Sequence, residues 1–248
     1  MENGETFHCN DSGDGGGRSD VVVIYPLSRY FFGSKDAIPD KDDCLADRLQ
    51  RMKANTWWVS RSYAARGMRT CVHGILLVEL FQHPHVLLLQ VRNSFFKLPG
   101  GRLRSGESDV EGLKRKLSRK LSSEENGTND DWQIDERIGM WWRSDFEMLP
   151  FPYLPPNLRR PKVCTISCCS VVYKPCLLLL FCGSFPLQEC TKLFLVKLPM
   201  TRHFIVPRNQ KLLAVPLCQL HDNSETYGPI ISGIPQLLSK FSFNIIQD

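Results

Sequence analysis

The sequence predicts an α/β fold, a mixed β-sheet sandwiched between α-helices (α/β/α). Two apolar runs, Gly74 to Leu80 (GILLVEL) and His85 to Val91 (HVLLLQV), are short, continuous and joined by a polar turn at Gln82, His83 and Pro84. They read as a hairpin of buried strands. The double glycine Gly100-Gly101 then opens a segment whose Val110, Leu113, Leu117 and Leu121 fall at helical spacing on one face. Strand-like runs return further on, and strands on both sides of a glycine-rich loop and helix are the pattern of a sheet layered with helices.

The other elements come in order along the chain. Residues 1–20 are rich in Gly, Asp and Ser, with almost no bulky apolar side chains, and are expected to be a disordered acidic tail. Glu2, Glu5, Asp11, Asp14 and Asp20 against Arg18 give that tail −4, which leaves +9 on residues 21–248 of a chain whose net charge is +5. That basic body suits a polyanionic partner. Its length suits one domain of roughly 200 residues, with extra segments near 56–62 and 163–188. Val21 to Tyr25 reads as a strand and PLSRYFFGSKD as a turn-rich stretch after it. Asp42 to Met52 reads as a helix with Leu45 and Leu49 on one face. After the glycine-rich helix comes a polar loop, Ser122 to Asp131, with the turn signal Asn126-Gly127. Ile134 to Trp142 reads as a strand, Pro150 to Pro161 as a proline-rich loop, and Lys192 to Leu198 and Lys211 to Pro216 as strands. Ile234 to Phe241 closes as a short amphipathic helix after Tyr227-Gly228-Pro229.

No apolar segment comes after the start, so no secretory signal is expected. Five of the ten cysteines lie between Cys164 and Cys182 and the rest are scattered. None of these spacings makes a zinc pattern, so free thiols in a reducing compartment are the expectation.

The glycine-rich segment carries a motif whose chemical residues are changed. From Gly100 it reads GGRLRSGESDVEGLKRKLSRKLSS, on the skeleton of the Nudix box, G-x5-E-x7-R-E-U-x-E-E-x-G-U, where U is a bulky apolar residue. Gly101, Glu107 and Arg115 fit. Lys116, Arg119 and Lys120 stand where the pattern has its three glutamates, and Ser122 where it has its last glycine. Nudix hydrolases use magnesium on diphosphate links, and magnesium takes carboxylate and water oxygens. Ligands three and four residues apart share one helix face, and cations there would repel the metal. Glu107 precedes the metal triplet and Glu111 lies outside it. No metal, no cofactor and no catalysis are therefore expected. The run of lysines and arginines reads either as a solvated helix face or as a contact for RNA or protein.

Longer runs extend the likeness. YPLSRYFFGSKD, HPHVLLLQVRNSFFKLPGGRLRSGESDVEGLKRKL, MWWRSDFEMLPFPYLPPN, KLLAVPL and YGPIISGIPQLLSKFSFN resemble the small subunit of pre-mRNA cleavage factor Im, most nearly its plant form. The resemblance covers nearly everything after about residue 21 apart from the two extra segments. It implies a Nudix fold that has lost hydrolysis, binds UGUA in single-stranded pre-mRNA and forms a homodimer. It also implies a larger subunit with an RNA-recognition domain as partner, and a nuclear role in poly(A)-site choice. No membrane is implied. It assigns RNA contacts to Arg48, which would read a base edge, to Asp40 where the family has glutamate, and to Phe95 and Phe96 on the loop before the box. Ser94, Lys97 and Leu98 beside them, and the tyrosines Tyr153 and Tyr227, complete the set with His73. His73 stands where the family has a glutamate that helps read RNA, so altered base discrimination is expected. Such use of aromatic rings and base edges suits single-stranded RNA. Two other functions stay open from the residues alone: an active Nudix hydrolase of a dinucleotide or nucleotide sugar, and a dimerising scaffold that touches no RNA.

Val163 to Gln188 (VCTISCCSVVYKPCLLLLFCGSFPLQ) has no counterpart in the family pattern, and removing it joins RRPK to ECTKLFLV. Valine codons begin GT and one glutamine codon ends AG, the letters of intron boundaries, so a retained intron or gene-model error is the expected origin. Lys174-Pro175 interrupts its apolar run, which is short of the ~20 residues a membrane span needs. The smaller excess at Thr56 to Ser62, with Trp57-Trp58, reads as an interface patch or as an unusual splice junction.

Overall fold

A computed structural model describes residues 21–37, 69–91, 95–122, 132–143, 150–153 and 189–246. The tail, the expected helix at 42–52, both extra segments and most of the Ser122 to Asp131 loop lie outside the described residues.

The main sheet is built on β3 (Arg69–Leu80) and β4 (His83–Val91). Ile75, Leu77, Val86 and Leu88 enter one apolar core, while Val72, Leu76, Val78, Leu87 and Leu89 enter another on the opposite face. Burial on both faces is why these runs are continuously apolar instead of alternating. β8 (Glu189–Lys197) divides likewise, Leu193 and Leu195 against Phe194 and Val196. With β7 (Gln133–Arg143) and β10 (Gln210–Pro216) the order is β10-β4-β3-β8-β7. β5 (Phe95–Lys97) pairs with β4, and β6 (Gly100–Arg102) with β3. β3 and β8 run parallel and their other partners antiparallel, so the sheet is mixed.

Helices cover both faces. α1 (Asp109–Leu121) buries Leu113, Leu117 and Leu121 on one. The Ser108 hydroxyl accepts from the Glu111 N–H (3.3 Å), an N-cap, and donates to the Glu111 carboxylate (2.7 Å). At the other end Lys35 Nζ donates to the carbonyls of Arg119 (2.7 Å) and Ser122 (2.6 Å), a cation where the helix dipole is negative. The second face is covered by α2 (Leu217–Leu220), α3 (Ser224–Ser232) and α4 (Ile234–Leu238), through Leu220, Tyr227, Ile231, Ile234 and Leu238. The expected α/β/α sandwich is the observed one. Two parallel strand pairs complete the fold: β1 (Val21–Ile24) with β11 (Ser242–Ile245), and β2 (Tyr30–Lys35) with β9 (Arg202–Pro207).

Several local expectations differ from this. The hairpin turns at Phe81 and Gln82, both at positive φ (53° and 63°), while His83 and Pro84 already belong to β4. A two-residue turn with left-handed central residues matches strand twist, and Pro84 sits at the sheet end, where a missing donor costs least. YFFGSK is a strand, not a turn, because β9 lies beside it, a partner remote in sequence. Val110 is exposed, and Lys116, only 3% exposed, takes a place on the buried side of α1. The last helix ends at Leu238.

Leu117 is fully buried and borders Gly74 in β3. Leu117→Ala should lower unfolding stability by about 2–5 kcal/mol, whereas Val110→Ala should stay within about 0.5 kcal/mol of the parent. Urea denaturation of the two variants measures both.

Candidate nucleic-acid interface

Six of the ten candidate residues, His73, Phe95, Phe96, Lys97, Leu98 and Tyr227, gather where β3, β5 and α3 meet. Gly100 faces His73 across the β3–β6 ladder at φ 148°. A Cβ there would collide with the Val72 carbonyl and His73 Cα, so only glycine lets the chain pass this close. Leu98, two residues earlier, is buried in the core on the α2–α4 side. Its carbonyl accepts from His73 Nδ1 at 3.2 Å. That bond places the ring proton on Nδ1 and leaves Nε2 as an acceptor. Burial, the charge of Lys120, and then those of Lys97 and Lys116 push the His73 pKa down to about 4, although the Leu98 hydrogen bond opposes this. The imidazole is neutral at physiological pH.

β5 brings Phe96 opposite Gln90 of β4. Its ring packs tilted on Tyr227, with centroids 4.8 Å apart. Tyr227 is itself buried, which raises its pKa, and the Gln219 side chain hydrogen-bonds it. Gly228 at φ 80° breaks the helical path just after it. Phe95 and Phe96 are thus held on a short strand, not a loop. Lys97 Nζ lies over the Phe95 ring at 6.0 Å. A tilted pair of rings near a ring nitrogen that only accepts is suited to a planar base with an N–H edge.

His73, Phe96, Leu98 and Tyr227 are therefore neighbours, with Phe95 and Lys97 beside them. Tyr153 is not among them. It is 64% exposed and packs on Phe151 (centroids 5.6 Å), which bridges to Trp142 of β7. Asp40, Arg48 and Ser94 lie outside the described residues. The Leu98 carbonyl and Gln219, which orient His73 and Tyr227, escape sequence reasoning: a backbone acceptor has no sequence signal, and Gln219 sits eight residues before its partner.

The box segment holds three carboxylates, Glu107, Asp109 and Glu111, and all are engaged. Arg115 grips Glu107 with Nε and Nη2 at 2.6 and 2.7 Å, and the Arg104 N–H donates to the same carboxylate at 2.8 Å. The Arg115 hydrogen bonds hold the Glu107 pKa down at about 2, against an opposing effect of desolvation. Glu111 serves the Ser108 cap. Asp109 pairs with Lys192 at 2.6 Å. Among the described residues no group of three His, Cys, Asp or Glu side chains is placed to hold a metal ion. Magnesium, which the Nudix pattern implies, does not fit the donors present here.

A Nudix family model described as a nucleotide hydrolase matches residues 20–180 and 186–241, so the fold and this match define a Nudix protein. Relatives narrow the class. The chain is 56% identical over 227 residues to pre-mRNA cleavage factor Im 25 kDa subunit 1 of Arabidopsis thaliana, covering 92% of this chain and 87% of that protein. It is 46% identical to subunit 2 of the same plant, covering 92% and 98%. It is 38% identical to cleavage and polyadenylation specificity factor subunit 5 of Dictyostelium discoideum, covering 90% and 95%. The chain belongs to the pre-mRNA cleavage factor Im 25 kDa subunit family. Among solved structures, the NUDIX domain of Shewanella oneidensis NrtR complexed with ADP ribose is 15% identical, with a TM-score of 0.39 over 71% of this chain and 94% of that one.

Two acid titrations test this geometry. The folded Glu107 carboxyl sits at about 2 against an ordinary 4.5, so its stabilisation is complete above 4.5 and is lost as pH falls toward 2. Glu107→Gln should remove that part of the acid sensitivity and cost about 1 kcal/mol at neutral pH, discounted for partial exposure of the pair. His73 takes up its proton near 4 in the folded chain and near 6.5 when unfolded, so it makes stability fall as pH drops through that window. His73→Gln should flatten the fall in that window; denaturant midpoints measured against pH read both effects.

Proposed function

We propose that this chain is a non-catalytic Nudix-fold subunit that acts in pre-mRNA 3′-end cleavage and polyadenylation. In this reading it recognises UGUA in single-stranded pre-mRNA, pairs with a second copy of itself, and joins a larger cleavage factor Im subunit carrying an RNA-recognition domain. The work is nuclear and contributes to poly(A)-site choice. Its relatives are named for pre-mRNA cleavage and polyadenylation, which supports the role at that level.

The observation that carries the RNA reading is the aromatic pair Phe96–Tyr227 beside an acceptor-only His73. The pair would stack and cradle a base, and His73 Nε2 would accept an imino N–H. A glutamate at this place would also accept, so the substitution keeps the hydrogen-bond polarity and gives up the charge. Asp40, Arg48, Ser94, Phe95, Lys97, Leu98 and Tyr153 join the proposed contacts by their match to the family motif. Loss of hydrolysis is supported by the engagement of Glu107 and Glu111 in structural bonds and by Lys116, Arg119 and Lys120 in the metal positions.

Fluorescence anisotropy of a UGUA-containing RNA against a scrambled one tests the reading, on this chain and on one lacking Val163 to Gln188. Preference for UGUA is expected, and Phe96→Ala should weaken it by about tenfold or more, the usual worth of a base–aromatic stack. Equal binding of both RNAs by a folded protein would leave the scaffold function instead. Magnesium-dependent nucleotide release that disappears in Glu107→Gln would restore the hydrolase.

A further inference from the structure

The β2–β9 strand pair presents a second aromatic surface, away from Phe96 and Tyr227. Its inner residues Tyr30, Phe204 and Val206 enter the core with α1, so this pair lies on the α1 side of the sheet. Phe31 and His203 are partners in register and point outward. Phe31 is 57% exposed, and its ring stacks on the imidazole with centroids 4.8 Å apart and planes 17° from parallel. The next outward position on β2 is Gly33, where an added Cβ would meet only the Ile205 side chain, at 3.6 Å. A pair of flat, stacked and exposed rings therefore stands beside bare backbone at Gly33.

The charge carried by the two strands and their flanks is cationic. Val21 to Lys35 contains Arg29 and Lys35 and no acid, and Cys190 to His221 contains Lys192, Lys197, Arg202, Arg208 and Lys211 and no acid. Lys192 and Lys197 are paired with Asp109 and Asp135, and Lys35 closes α1. Arg208 and Lys211 lie exposed at the turn that leaves β9. The Arg208 N–H donates to the Lys35 carbonyl at 2.9 Å, which ties that turn to the end of β2. The first acid beyond β2 is the exposed Asp36. Stacked rings interleaved with cations are how proteins track single-stranded nucleic acid without reading its sequence. A protein partner would gain more from a continuous apolar patch, and Ser34, Thr201 and Arg208 interrupt this one.

We propose that the Phe31–His203 face is a second contact for single-stranded RNA, which stacks a base of the flanking strand and does not discriminate sequence. The identity of the strand rests on the RNA reading above, but the contact is separable from it because the two aromatic sites lie on opposite faces of the sheet. The test is anisotropy with two probes, a bare UGUA oligonucleotide and UGUA flanked by long uridine tracts, on the full chain and on Phe31→Ser, His203→Ser and Arg208→Gln. Both ring residues are exposed, and unchanged thermal melts would certify the fold. Affinity for the bare oligonucleotide should not change. Affinity for the flanked RNA should fall by about tenfold in either ring variant, and Arg208→Gln should lower its salt slope by about one. Unaltered binding of the flanked RNA in all three variants would overturn the proposal. So would a Phe31→Ser protein that keeps its RNA affinity but loses self-association in sedimentation, since the face would then belong to a second copy. Failure of the parent to bind bare UGUA would sink the earlier reading only; Phe31-dependent binding of the flanked RNA would still support this one.

Discussion

The Glu107–Arg115 pair is the tie on which the glycine-rich segment depends. It joins the loop after β6 to the middle of α1, and the Arg104 N–H adds a third hydrogen bond to the same carboxylate. The loop is thereby drawn so close to the helix that a side chain at Gly112 would strike Leu103. With loop and helix fixed together, β6 is held against β3 and Gly100 against His73. Phe96, Leu98 and the ring of His73 inherit their positions from that arrangement. The surviving half of the Nudix motif is the half that makes these bonds.

In the other half of the motif Lys116, Arg119 and Lys120 stand where the Nudix pattern has glutamates, and their charge reaches beyond the helix. Glutamates crowded on one face of α1 would need a cation or other partners, because carboxylates removed from water without them are costly. Lysines and an arginine have long apolar stems that pack along the helix and reach outward with their charge. Lys116 is the exception, since at 3% exposure its charge stays inside and does not reach solvent. Its charge, with those of Lys120 and Lys97, bears on His73 and helps keep it neutral. Two of the pattern's glutamate positions, Lys116 and Lys120, thus affect the proton state of a residue in the proposed RNA site. That coupling crosses from α1 to β3 as a field of charge.

Layers and core were legible in the sequence for a physical reason. The runs of β3, β4 and β8 and the face of α1 are patterned by burial, and burial is local in its signature: Leu113, Leu117 and Leu121 announce themselves by spacing alone. β2, β9 and β11 were not legible. Each is stabilised by a partner remote in sequence, and YFFGSK carries turn residues that the pairing overrides. The same limit holds at the site. Phe96 and Tyr227 stand out as aromatic residues near glycines, but that they touch is a property of β5 and α3 packing together. Lys116 looks like one more member of a basic face, because charge hides the direction in which a stem points.

His73 shows why residue identity is a poor guide to hydrogen-bond role. Where the family resemblance implies a glutamate it offers a group that either donates or accepts, and altered recognition is the expectation from that alone. The Leu98 carbonyl removes the choice, since it can only accept, and so it holds the proton on Nδ1. The neighbouring lysines and burial then keep a second proton off Nε2. The group offered to a ligand is a neutral acceptor in a fixed direction. Such a group gives up the stronger hydrogen bond a carboxylate makes to an N–H donor, but it also avoids the carboxylate's repulsion of phosphate and its large desolvation penalty when a base closes over it. Discrimination by a hydrogen bond depends on what is left unpaired in the wrong complex. A buried acceptor facing another acceptor is penalised whether or not it is charged, so the proposed selection of an N–H edge survives the change from glutamate to histidine.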